Sequence, residues 1–493
     1  MKRKGLIALT ALLIGGSSGQ ALAVPGDANP RAMGLGQAYT ALARGPEAPF
    51  WNPANLALSS RKFDWDLIGI GFTLVAENNS FSVTTYNDNF TDSNTNISPN
   101  GSKYYISPAD KDEILGDIPG EGLKMNVDID PILALGIPII NGGVAFSIGE
   151  IRSAIAIGLT TGFEGEIPKD MFELFLFGNE FEETRLAAGK DGAYDISDWD
   201  GSGWAVGTFN WSAAKAFMPA QLKPYLSEFS AGGTLKFSAG AYGEILKSGG
   251  TGLVSRVGGA DLDVWLITQS AETGTGFGLD FGVAGVTKNR KATMSLGFLN
   301  LLDTFSWSSS ARQDSIFVGA SDLRITRFAD EDSRDIEDVL DNPDFDDNGE
   351  ECEEDSVVPG CGDTDFNKLI SEDSFSRSLP AMMRLGVAYL AMPRLTVVGN
   401  WDQAFSSGFG VTTTPRLAAG VEYRLVDWFP ARFGLSLGGR SSGSSIGFAF
   451  GPFVMPHLKI SLLETALVSR GGFFPGIAKG TAISLMFFRI NLI

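Results

Sequence analysis

The chain has 493 residues, 19% of them charged and 11% aromatic, with 61 glycines, 35 phenylalanines, one histidine and two cysteines. A single histidine excludes a histidine-built metal centre, and a net charge of −20 argues against a nucleic-acid partner. The length suits several ordinary domains or one large closed sheet.

Residues 1–23 read as a signal peptide. MKRK is a positive n-region, GLIALTALLIGG is a short apolar stretch, and Ala21-Leu22-Ala23 is a small-residue cleavage site. No later apolar run has the length of a membrane-spanning helix, so a membrane protein with this sequence must cross as strands. Residues 24–62 are poor in charge and compact. From residue 63 onward the pattern is that of strands, with sixteen candidates by the period-two criterion, starting near 64, 123, 143, 203, 230, 253, 275, 291, 312, 380, 394, 414, 431, 443, 456 and 477. The C-terminal third shows it most clearly. Phe433, Leu435 and Leu437 share one face, and Arg432, Gly434, Ser436 and Gly438 the other. Leu417, Ala419, Val421 and Tyr423 likewise oppose Arg416, Ala418, Gly420 and Glu422.

Connections alternate between long and short, and the long ones are 77–121, 161–201 and 328–379. Long loops on one side and tight turns on the other match an outer-membrane barrel. Met218-Pro219, Met392-Pro393, Phe429-Pro430 and Met455-Pro456 mark the opposite end, because proline suits a strand start and spoils its middle. Ala109–Ile118 and Pro168–Phe177 have helical spacing and acidic starts, and are expected as short helices over the mouth. The second of these offers Phe172, Phe175 and Phe177 as apolar capture residues. At the C-terminus, Met486, Phe488, Ile490 and Leu492 are expected to share the lipid-facing side.

The acidity is local. Residues 330–365 hold 17 acidic side chains and one basic one, Arg334. Within this stretch Asp344, Asp346, Asn348, the Glu350 carbonyl and Asp355 have the spacing of a calcium loop. No flanking helices are evident and a short Asp stands at position 12, so the alternative is a solvated acidic loop that attracts divalent ions loosely. Cys352 and Cys361 are close enough in an exported chain for a local disulfide. The polar strand faces carry Arg384, Arg394, Arg416, Arg424, Arg432 and Arg440. These arginines hold a carboxylate ligand in bidentate pairs, or else pair with Glu422, Asp402 and the N-terminal segment. No catalytic constellation is present, so an enzyme is not expected; His457 follows a Met-Pro turn and belongs at the turn end.

The segment NPRAMGLGQAYTALARGPEAPFWNPANLAL, residues 29–58, resembles the N-terminal hatch of the FadL/PorV superfamily of outer-membrane barrels. DKDEILGDIPGEGLKMNVD and IPKDMFELFLFGNEF resemble a separate branch of that group. The resemblance implies an all-β fold: a transmembrane antiparallel barrel of about fourteen strands (range 12–16) over residues 63–493. It also implies that residues 24–62 form a hatch inside the barrel, with Arg31, Met33, Gly34, Gly36, Tyr39, Trp51, Asn52, Pro53 and Ala54 as its motif residues. Location in the bacterial outer membrane, contact with its lipid, insertion by the barrel-assembly machinery and uptake of a hydrophobic small molecule are implied with it. A PorV-like scaffold for surface proteins and a purely structural barrel are the alternatives. No cofactor is expected, calcium in the acidic loop excepted.

Overall fold

The computed structural model describes residues 29–59, 61–90, 108–135, 137–177, 193–256, 259–323 and 368–493. The signal peptide, the calcium-loop residues Asp344, Asp346, Asn348, Glu350 and Asp355, and both cysteines lie outside them.

The strands close into one antiparallel barrel of fourteen. They are β1 (Phe63–Asn78), β2 (Leu123–Leu135, continued in line by Gly142–Ile148), β3 (Ile151–Ile167), β4 (Asp200–Ala216), β5 (Leu226–Arg256) and β6 (Gly259–Thr287). β7 runs in three pieces, Ala292–Leu299, Thr304–Ser309 and Arg312–Leu323, all paired along β6. β8 mirrors it in Lys368–Ser371, Phe375–Ser376 and Met382–Met392. Then follow β9 (Leu395–Ala404), β10 (Arg416–Val426), β11 (Phe429–Gly438), β12 (Gly443–Phe450, then Phe453–Val454), β13 (Leu458–Ser461, then Leu463–Arg470) and β14 (Gly480–Leu492). β14 returns to β1, pairing Phe72 with Leu485, so no edge is left open.

The count of sixteen fails where strands are interrupted or very long. The segments starting near 123 and 143 are both β2, while β3 had no candidate of its own, and those near 291 and 312 are two pieces of β7. The candidates near 230, 253 and 275 are two strands of 31 and 29 residues. A membrane crossing needs about ten residues, so β5 and β6 rise far above the bilayer as a ribbon.

Side-chain alternation settles which face is outside. Leu417 is 56% exposed, Phe433 48% and Ile446 57%, whereas the facing Ala418, Arg432 and Ser445 are buried. A closed barrel with an apolar outside and a buried polar inside is a transmembrane β-barrel of outer-membrane type. All four proline turns fall at one end, as expected, and His457 sits there too, its carbonyl accepting from Ile493 N–H. At the other end, helices α4 (Pro108–Asp117) and α5 (Lys169–Phe177) confirm the two expected loop helices. A further helix, α3 (Val83–Phe90), was not expected, although Val83, Tyr86 and Phe90 stand at helical spacing.

β14 departs from simple alternation. A bulge opposite Ile70 and Gly71 skips Phe487, so Met486 turns inward at 3% exposure while Phe487 faces out at 49%. The expected lipid-facing set is thereby broken at Met486. One extra residue shifts every side chain before it to the other face.

Candidate functional site

Residues 29–58 fold inside the bore. Asn29 caps the short helix α1 (Pro30–Gly34), accepting from Arg31 N–H at 2.8 Å, and Pro30 starts it without losing a bond. Helix α2 (Ala48–Trp51) ends at Asn52, whose side chain accepts from Ala54 N–H at 2.9 Å. Pro53 then opens a 3₁₀ turn to Leu58. Trp51 is fully buried, with Tyr39 edge-on at 5.3 Å and the Arg384 guanidinium 4.4 Å from its ring centroid.

Wall glycines make the seat for this segment, and that signal lies in the sequence without having been read. A Cβ on Gly434 would stand 2.1 Å from Gly36 N, and one on Gly282 would stand 1.9 Å from Asn52 Oδ1. Gly232 lies under Pro53 and Ala54, and Gly447 under Gly34. These glycines belong to β11, β6, β5 and β12, so plug and wall approach backbone to backbone on several sides. Asn52 completes the fit, donating to Val283 O at 3.0 Å and Ser295 Oγ at 2.7 Å. Met33 packs with Val75, Ala466, Val468 and Ala482.

Two ionic clamps hold the plug. Arg31 grips Glu422 with both arms, at 2.8 and 2.9 Å, and Glu422 also takes Arg432 Nε at 2.9 Å. Arg432 reaches Glu464 at 2.7 Å. On the other side Tyr39 donates to Glu47 at 2.6 Å, and Glu47 accepts from Arg489, which pairs with Asp66 at 2.7 Å. Burial pushes the Glu47 carboxyl up, but Arg489 and the Tyr39 hydroxyl outweigh it and hold it at about 2.

The arginine line is therefore largely occupied by protein carboxylates. Arg416 takes Asp402 at 2.5 Å, with Arg384 3.9 Å from the same carboxylate. Arg440 pairs with Glu164 across the bore and donates to Asn126. Two of the line do not belong to it. Arg394 sits in the β8–β9 turn, half exposed, donating to Leu425 O at 3.2 Å, and Arg424 is half exposed at 3.8 Å from Glu422. Both lie where the strands leave the buried bore, which alternation does not register. Phe172 meets Phe81 on the outer side at 6.4 Å between ring centroids. The side chains of Phe175 and Phe177 lie outside the described residues.

Outward of the plug lies a second feature, which sequence reasoning missed: an aromatic cluster lining the bore. Phe305 and Trp307 stack at 4.2 Å, Tyr242 lies 5.3 Å from Trp307, and Trp204 completes the wall. Gly274 and Gly276 of β6 let the Trp307 and Phe305 rings lie flat on it. Phe409 enters from the β9–β10 loop. Its ring is 5.1 Å from Tyr242 and 5.8 Å from Trp204, and it is 1% exposed. Its φ of +49° is the left-handed region, costly for a bulky side chain. The bridge between Gly408 and Val411 holds it there. Near the plug's inner side a cavity of ≈ 40 Å³ lies among Glu47, Phe50, Ile132, Asn141 and Met486, enough for water and too small for a hydrocarbon.

No protein-family model matches the chain, and no curated protein sequence matches it either. Among solved structures it is similar to the toluene transporter TbuX of Ralstonia pickettii, at 12% identity and TM-score 0.44, covering 94% of this chain and 97% of that one. It is similar to a FadL homologue of Pseudomonas aeruginosa, at 12% identity and TM-score 0.46, covering 96% and 98%. The toluene transporter TodX of P. putida follows at 9% identity and TM-score 0.42, covering 93% and 95%.

Proposed function

We propose that this barrel is an outer-membrane channel that admits hydrophobic small molecules. The observation that carries the reading is the aromatic cluster of Trp204, Tyr242, Phe305, Trp307 and Phe409 inside a bore otherwise lined by polar side chains, glycines and small aliphatic residues. An aromatic surface turned away from lipid and towards the bore is what an apolar ligand needs. Ligand enters past Phe172 and its neighbours, displaces Phe409, and leaves when the plug at residues 29–58 gives way. The test uses the full barrel in liposomes. Toluene should quench tryptophan fluorescence saturably and cross faster than through protein-free vesicles; equal rates and no saturable quenching would refute the channel.

The β5–β6–β7 ribbon, too long for the bilayer alone, favours a second reading, a scaffold that holds other proteins at the surface. Deleting its outer part while keeping toluene flux would separate the two.

A further inference from the structure

The luminal row that carries the aromatic wall holds one charged residue. It runs in cross-strand register from Val468 through Val75, Asp128 and Gly162 to Trp204 and Tyr242. Asp128 is 1% exposed, and neither carboxylate oxygen has a hydrogen-bond partner. Among the described residues no cation stands within 4 Å of it; Arg440 is engaged by Glu164 and Asn126. Arg470 stands one row outward, and its charge and that of Arg440 reach Asp128 through space without a hydrogen bond to it. The Asp128 carboxylate leans over Gly162 onto the Trp204 ring: the two lie 2.3 and 2.4 Å from the point where a Gly162 Cβ would stand. A buried carboxylate without a partner is costly unless something completes it.

The Phe409 ring also packs edge-on against Trp204, 5.8 Å between ring centroids, and is supplied from a loop in a strained conformation. Ring and carboxylate thus meet at one indole. Aromatic faces beside a carboxylate are the chemistry that recognises an ammonium ion. The acidic stretch at residues 330–365 would concentrate cations and repel anions.

We propose that the bore binds apolar amines in their ammonium form, the apolar body taking the seat of Phe409 and the ammonium group completing Asp128. This rests on the channel reading and narrows its substrate class. The experiment titrates the detergent-solubilised full barrel with three probes of similar size: 2-phenylethylammonium, toluene and phenylacetate, read by tryptophan fluorescence. The ammonium should bind at least about tenfold more tightly than phenylacetate. Asp128→Asn should remove that advantage and leave toluene unchanged. Equal affinity for the ammonium and phenylacetate on the native protein, or an unchanged ammonium affinity in a folded Asp128→Asn barrel, overturns the inference. The comparison on native protein stands even when the variant does not fold. Toluene binding without ammonium preference refutes this inference alone; no binding of either removes the channel reading with it.

Discussion

Removing Glu422 should release the plug far more than removing Arg31, although the two form one ion pair. Glu422→Ala strips Arg31 of a bidentate partner and Arg432 of one of its two carboxylates. Breaking a buried pair from one side costs about 3–5 kcal/mol, because a charge is left uncompensated. The lower end applies, since Arg432 keeps Glu464 and the Arg31 side chain is 27% exposed. About 3 kcal/mol is roughly a hundredfold increase in the population with the plug unseated. Arg31→Ala leaves Glu422 bonded to Arg432, so charge-assisted hydrogen bonds and a cation–π contact with Tyr39 are lost but no charge is left unpaired. That is about 1.5 kcal/mol, roughly tenfold. Hydrogen exchange of amides 31–43 in the solubilised barrel reads both directly. The double variant should fall short of the sum, because the two changes remove the same contact. Protection within threefold of the native protein in Glu422→Ala, or an equal loss in both single variants, would refute the clamp.

Further outcomes follow from the same geometry. Gly434→Ala places a Cβ on the Gly36 backbone, so the plug should become protease-sensitive while the barrel keeps its heat-modifiable migration on a gel. Glu47 is held at about 2, below its ordinary 4.5. Its contribution to seating is full above pH 4.5 and is lost as pH falls through about 2. Plug exchange, corrected for the intrinsic rate, should match at pH 7 and pH 5 and rise only near pH 2; Glu47→Gln should abolish that step. Phe409→Gly relieves the left-handed strain and empties the aromatic seat, so toluene should quench tryptophan at lower concentration than in the native barrel. A higher concentration requirement would show that the Phe409 ring helps to hold the ligand.

The sequence by itself determined the strands and their faces. Alternation is local: Phe433, Leu435 and Leu437 against Arg432, Gly434 and Ser436 can be read without any partner strand. The proline turns and the two loop helices were legible for the same reason, and the compact motif at residues 29–58 announced a segment apart from the sheet. What depends on register was decided only by the tertiary structure. Pairing along β6 joined three pieces into β7, and closure against β1 placed the Phe487 bulge that turned Met486 inward. Glycines spaced at random along the chain became a seat only when β5, β6, β11 and β12 came round one axis. In the sequence the arginines were open either to a ligand or to Glu422, Asp402 and the N-terminal segment; strand register decided for the carboxylates and added Glu464. Phe409, in a short loop without periodicity, found its rings only across the bore, and Asp128 was left without a hydrogen-bond partner only when its neighbours in the row proved to be valine, glycine and tryptophan. Side-chain period is a property of a single strand; which charges meet is a property of fourteen strands in register.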